Sequence, residues 1–217
     1  MNQSKRAKVI LKILNQIYPK TPIPLKHKSK FTLLISVLLS AQTTDVNVNN
    51  VTKDIYRKHY KPEHFEKLGR KKIERLINSI GIFRMKAKSI YLLSKQLIKY
   101  HKGKVPQTFE ELENLPGVGH KTASVVMAQG FGHPAFPVDT HIHRLAQRWG
   151  LTNGKNVVQT EKDLKRLFPK KFWNKLHLQI IYYGREYCKA RECYCLTCKI
   201  CTTCYPNRKT PTKTKKA

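Results

Sequence analysis

Acidic residues are scarce in this chain. Among its 217 residues there are 13 Asp and Glu against 43 Lys and Arg, a formal net charge of +30. An excess of that size and sign exceeds what solubility needs and concentrates a polyanion at the surface, which points to nucleic acid. A lysine-rich proteome, an anionic membrane surface or a ribosomal location would also raise the charge, and charge alone does not separate specific from non-specific binding. Long apolar runs are missing too: the longest candidate, residues 31–39, is too short to span a bilayer. Met1-Asn2-Gln3-Ser4-Lys5-Arg6 has neither the apolar core nor the cleavage site of a secretory leader, so the expectation is a cytoplasmic chain with no membrane partner. Alternating stretches joined by hairpin turns are absent, which disfavours sheets and predicts an all-α protein. Finally, there is no cysteine before Cys188, and all six lie between Cys188 and Cys204. A disulfide framework would be spread through the chain, so this clustering says metal.

What is present is a succession of amphipathic segments. Residues 8–18 form one, stopped by Pro19, and Phe31, Leu34, Ile35, Leu38 and Leu39 mark a helix apolar on almost all sides, hence buried. Further helices are expected over 46–59, 62–68, 71–80 and 85–100, broken at Gly69, Gly81 and Gly103, and then over 109–114, 140–149, 159–167 and 172–188. Ile90, Leu93 and Leu97 are the buried stripe of the 85–100 segment. Residues 207–217 are basic and contain proline, which reads as a disordered tail with charge-only DNA contact as its use.

Leu115-Pro116-Gly117-Val118-Gly119-His120-Lys121-Thr122 carries the chemistry. Pro116 and two glycines end one helix and permit the tight turn, and good helix formers follow from Thr122. One residue separates the glycines and His120 precedes the lysine, so this is not a phosphate loop; a dinucleotide fingerprint lacks its third glycine. The turn reads instead as a helix-hairpin-helix over 109–128, whose amides at Val118, Gly119 and the next helix start would hold a phosphate oxygen. Lys121 then sits on the first helical turn, where the helix dipole, nearby cations and partial burial all favour the free, nucleophilic amine. Taken alone, such a lysine in a basic protein reads as a phosphate contact. Its partner changes that reading: eighteen positions on, Phe136-Pro137-Val138-Asp139-Thr140-His141 places an aspartate at a helix cap, where backbone N–H donors fix its direction.

With these residues the chain resembles the endonuclease III family of the helix-hairpin-helix DNA glycosylase superfamily. Leu38-Leu39-Ser40-Ala41-Gln42-Thr43-Thr44-Asp45, the hairpin, Val138-Asp139-Thr140-His141 and the cysteine cluster match its signatures in order. The resemblance implies two all-α lobes with DNA in the cleft between them: a six-helix barrel over 23–133, and an iron–sulfur lobe from 1–22 plus 134–206. It implies a bifunctional glycosylase and abasic-site lyase of base excision repair, cytoplasmic and nucleoid-associated, monomeric, acting on double-stranded DNA with oxidised pyrimidines or abasic sites. Lys121 matches the nucleophile and Asp139 the catalytic aspartate. Gln42 matches the residue that fills the gap left by a flipped nucleotide, and Ile82 stands where an apolar wedge enters the stack, although a core role would suit it nearly as well. Gly117, Val118, Gly119, His120 and Thr140 are the further DNA contacts so implied. Asp45 and Glu113 are weaker pocket candidates, with capping and surface charge the simpler readings. His143 departs from the family pattern, which has an apolar or aromatic residue there.

Cys188, Cys195, Cys198 and Cys204 match the spacing by which that family binds a [4Fe-4S] cluster. Without the resemblance, any four of the thiolates could hold tetrahedral zinc, and Cys195, Cys198 and Cys201 alone look like a ferredoxin clasp. Cys193 and Cys201 are then spare. A bound cluster would pin the loop so that Lys189, Arg191 and Lys199 meet the DNA backbone. A glycosylase without lyase activity, on mismatched or uracil-containing DNA, is the alternative enzyme, but Lys121 argues against it; a non-catalytic DNA-binding module is the alternative outside enzymes.

Overall fold

The computed structural model describes residues 1–191, 195–210 and 212–217. Among them every regular element is helical, and no helix is long and apolar enough to cross a membrane. The chain divides into two compact units, Ile23–His133 and Met1–Pro22 with Pro134–Ala217.

The continuous unit contains α2 (Lys30–Leu39), α3 (Asp45–Lys58), α4 (Pro62–Leu76), α5 (Phe83–His101), α6 (Phe109–Glu113) and α7 (His120–Val125), the last running into a wider π turn at Val126–Gly130. Ser29 starts α2 through a reciprocal cap: its hydroxyl accepts from the Thr32 amide at 3.2 Å, and the Thr32 hydroxyl accepts from the Ser29 amide at 2.8 Å. From Phe31 to Leu39 every residue of α2 is buried, as its all-round apolar sequence requires, and α3, α5 and α7 pack around it. The polar groups that go inside with it are satisfied: Ser36 Oγ and Tyr56 Oη lie 2.8 Å apart, and Tyr56 Oη donates to the Thr32 carbonyl. Gly69 does break α4, at φ 71° and ψ 158°, but the helix resumes beyond it and ends at Leu76, short of the expected residue 80. The buried stripe Ile90, Leu93 and Leu97 of α5 is as the periodicity predicts.

The discontinuous unit contains α1 (Gln3–Ile17), α8 (Thr140–Arg148), α9 (Val157–Leu167), a 3₁₀ turn Lys170–Phe172, α10 (Trp173–Glu186) and α11 (Lys199–Cys204). Helix α1 begins earlier than its apolar stripe suggests, because the Asn2 side chain caps it by accepting from the Lys5 amide at 2.9 Å. Helix α11 has no counterpart among the expected helices; its cysteines carry no helical signal of their own. Ile10, Leu14, Phe136, Leu145, Trp149, Leu176 and Tyr183 are among the apolar residues of this core, and the described cysteines pack with them. Gly150, at φ 65°, follows α8 where the Tyr205 hydroxyl would lie 1.8 Å from any Cβ, so only glycine lets α11's end approach. Within the C-terminal segment, the Lys215 amide donates to Gln147 Oε1 at 2.7 Å, and Gln147 Nε2 donates to the Lys215 carbonyl at 3.1 Å.

Candidate functional site

The hairpin is built from both of its helices. Thr108 caps α6, Leu112 and Leu115 anchor it in the core, and the Val118 amide closes the turn on the Leu115 carbonyl at 3.0 Å. That bond corrects one expectation: Val118 is buried and its N–H is already used, so it is not an open phosphate donor. Gly117, at φ 78°, is required on two counts. Its conformation is left-handed, and a Cβ would fall 2.6 Å from Ser89 Cβ and 3.2 Å from Leu38 Cδ1. Gly119 faces open space instead, so the missing side chain leaves room in front of the start of α7, which carries no side-chain cap. Across the turn, His120 Nδ1 and Glu113 Oε1 lie 2.8 Å apart while the His120 ring stacks on Phe109 at 5.9 Å between centroids. Glu113 therefore braces the hairpin. Lys121 follows on the first turn of α7, exposed, contrary to the partial burial expected of it.

Two other segments of this unit converge on the hairpin. Gln42 lies just beyond α2 and Ile82 just before α5, and both have left-handed backbones, at φ 53° and 59°. Such a conformation costs a side-chain-bearing residue on the order of 1–3 kcal/mol, and is rarest for a β-branched one. Ile82 is 54 % exposed, which removes the core reading. A cavity of about 170 Å³ gathers Gln42, Ile82 and Gly117 with Leu38, Lys86 and Ser89. Asp45 opens α3 beside its Thr44 cap, the ordinary place for an acid at a helix start.

In the other unit, Asp139 is the N-cap of α8 and accepts from the Ile142 amide at 2.8 Å; it is half-buried, with Thr140 exposed beside it. His143 is buried one turn on, its Nδ1 2.8 Å from Thr160 Oγ1, and burial lowers its pKa. That polar partner accommodates the departure from the family pattern.

Cys188, Cys195, Cys198, Cys201 and Cys204 are all buried, and the sulfurs of Cys188, Cys198 and Cys201 lie within 4.8 Å of one another. Cys193 lies outside the described residues. Hydrogen bonding from Cys201 is the main influence holding the Cys195 thiol down, to about 6, whereas burial pushes Cys204 up to about 11 against the pull of Arg6 and Arg208. Buried soft donors with cationic neighbours fit a metal centre, because thiolates need both metal and countercharge to stay inside. Cys201 was expected to be spare, yet it stands among the other sulfurs. Lys189, Arg191 and Lys199 are exposed on the flanking segments.

Two residues of this centre carry no motif. The Arg148 guanidinium is buried and donates to Cys188 Sγ at 3.2 Å and to the carbonyls of Lys189 and Ala190 at 2.7 and 2.9 Å. Arg144, one turn earlier, donates to the Cys188 carbonyl at 3.0 Å. The loop after α10 is thus held from α8. The available signal was their i, i+4 spacing on a helix otherwise buried on that side.

Comparison with known proteins gives the family. Residues 35–170 match the HhH-GPD superfamily of base excision DNA repair proteins. The chain is similar to Endonuclease III of Bacillus subtilis (strain 168), 39 % identical over 206 residues with 94 % of each protein covered. It is likewise similar to Endonuclease III of Escherichia coli (strain K12), 40 % identical over 204 residues, covering 94 % of this chain and 96 % of that one. Among solved structures, one of a trapped Endonuclease III–DNA covalent intermediate superposes with a TM-score of 0.88 at 38 % identity, covering 92 % of this chain and 94 % of the other.

Proposed function

Because the chain belongs to the HhH-GPD superfamily of base excision DNA repair proteins, and within it to the endonuclease III family, we propose that it is a bifunctional DNA glycosylase and abasic-site lyase. Its substrates are double-stranded DNA carrying oxidised, ring-saturated pyrimidines of the thymine glycol type, or abasic sites, and it acts as a monomer in the cytoplasm at the nucleoid. The observation that carries this reading is Lys121, exposed at the start of α7 beside Gly119, whose missing side chain leaves the approach open.

Lys121 Nζ, as the free amine, attacks C1′ of a flipped nucleotide; the C–N bond to the base breaks and its electron pair leaves with the base. Opening of the sugar ring then gives a Schiff base between Nζ and C1′. Loss of a C2′ proton pushes electrons toward C3′, the C3′–O bond breaks, and the strand is nicked on the 3′ side. Water finally releases the amine. Asp139 takes up the proton that the amine sheds and stabilises positive charge developing on the sugar, while its bond to the Ile142 amide keeps it aimed. Gln42 and Ile82 enter the duplex in place of the flipped nucleotide, offsetting lost stacking of a few kcal/mol. Gly117, Gly119, His120 and Thr140 approach the DNA backbone, as do Lys189, Arg191 and Lys199. Cys188, Cys195, Cys198 and Cys204 would hold a [4Fe-4S] cluster, whose metal–thiolate bonds tie that loop down and take no part in the bond-breaking steps.

Incubation with a duplex containing one thymine glycol, with and without borohydride, tests the proposal. The expected result is a covalent adduct with borohydride and a nick without it, both absent in Lys121→Ala. Base loss with neither nick nor adduct would mean a glycosylase without lyase activity, and binding with no base loss a non-catalytic module.

A further inference from the structure

Lys86 is a buried lysine that no motif marks and no step above uses. It lies on the first turn of α5, 7 % exposed, and no carboxylate pairs with it among the described residues. Its position is unfavourable twice over: a buried cation without a counter-ion, near the positive end of a helix dipole. Burial accordingly lowers its pKa. What it has instead are three oxygens, one for each N–H of the ammonium. Nζ donates to the Leu39 carbonyl at 2.9 Å, the Ala41 carbonyl at 2.5 Å and Thr43 Oγ1 at 3.3 Å. The first is a helix-end carbonyl of α2 left without an intrahelical partner. The other two belong to the residues on either side of Gln42.

The main chain of the same residue reaches the second insertion loop, since the Lys86 amide donates to the Ile82 carbonyl at 3.2 Å. The two loops lie close together, since a Cβ added at Gly81 would come within 3.6 Å of the Gln42 carbonyl, and the first turn of α3 is tied to the approach to Ile82 by Asn47 Nδ2, which donates to the Ser79 carbonyl at 3.2 Å. One side chain therefore grips the peptides around one strained residue while its own amide holds the other. We infer that Lys86 is a positioning residue, locking the Gln42 loop to the Ile82 turn so that both side chains are presented to DNA as one preformed wedge. Strain at both positions persists because Lys86 and the helices around it over-determine the backbone there. A preformed wedge orders less on binding, so its benefit appears in recognition of a gap in the stack and not in charge-driven attraction to the duplex. The inference rests on the insertion roles given to Gln42 and Ile82.

The test is binding of the full-length, metal-loaded protein to a duplex with a tetrahydrofuran abasic analogue opposite 2-aminopurine, beside the same duplex undamaged. Neither duplex is cleaved, so the result is independent of the lyase chemistry. The wild type is expected to prefer the analogue and to change the 2-aminopurine fluorescence. Lys86→Met is expected to weaken analogue binding at least tenfold and to suppress the fluorescence change, with undamaged duplex bound within about twofold of wild type. Gln42→Ala should do the same, and the double variant should lose clearly less than the product of the two single losses, because Lys86 and Gln42 serve one wedge. Additive losses, equal losses on both duplexes, or no loss in Lys86→Met would overturn the inference. Should Lys86→Met not fold, Thr43→Val removes one of the three acceptors at a partly exposed position; it should weaken analogue binding severalfold, non-additively with Gln42→Ala, and no loss there would overturn it equally. A wild type that prefers the analogue yet forms no borohydride adduct would refute the lyase reading and leave this one standing.

Discussion

In the unit Ile23–His133 the centre is α2, a helix whose buried surface is nearly all hydrocarbon; in the unit of Met1–Pro22 and Pro134–Ala217 the interior holds, among the described residues, five thiols and the Arg148 guanidinium bonded to backbone carbonyls. The first can order itself by apolar burial, which needs no partner from outside the chain. The second closes around groups that are costly to bury until a metal and countercharge satisfy them. The strained turns at Gln42 and Ile82 and the lysine hairpin stand on the self-sufficient core, where close packing can hold unfavourable backbone in place.

The largest effect should come from the centre that depends on metal. Cys198→Ala is expected to lose metal, and amide exchange in α10 and α11 should rise sharply while α2 and α5 stay protected. Metal–thiolate bonding supplies about 10 kcal/mol of folding free energy in small zinc domains, which sets the scale. Uniform loss of protection in both units would break the comparison. Next, Leu34→Ala, at a fully buried position of α2, should cost about 2–5 kcal/mol in chemical denaturation without altering metal content. Arg148→Met should cost roughly 1–3 kcal/mol by leaving buried carbonyls unpaired, and should speed metal loss to a chelator. The smallest effect is a pH dependence. His143 is lowered in the folded state chiefly by burial, with a Lys216 backbone contact opposing. The unfolded chain therefore binds the extra proton first, and this contribution is lost as pH falls below about 6.5. His143→Leu should flatten the melting temperature against pH in that window, and an unchanged slope would assign it elsewhere.

Periodicity was enough for the all-helical class and for the buried faces of α2 and α5, because a stripe of apolar residues at helical spacing has one way to leave water. Helix ends were less legible: α1 starts at a cap several residues before its stripe, and α11 arises among cysteines with no periodic signal. The hairpin lysine, the capping aspartate and the cysteine spacing were readable because each needs particular residue types at short separations. Burial of Cys201 among the other sulfurs, the use of the Val118 amide within the turn, and the exposure of Ile82 and Lys121 were not, since no local pattern states which way a side chain faces.

Spacing alone thus determined the helical class, the hairpin that carries Lys121, the capping place of Asp139 and the clustering of the thiols, because those depend on neighbours within a few turns of chain. Only the tertiary structure decided that Arg148 would grip the loop after Cys188, and that Lys86 would span from Leu39 to Thr43 while holding Ile82. The side-chain contacts of Arg148 and Lys86 join residues some forty positions apart, and which distant carbonyl is left without a partner is settled only when the helices have packed.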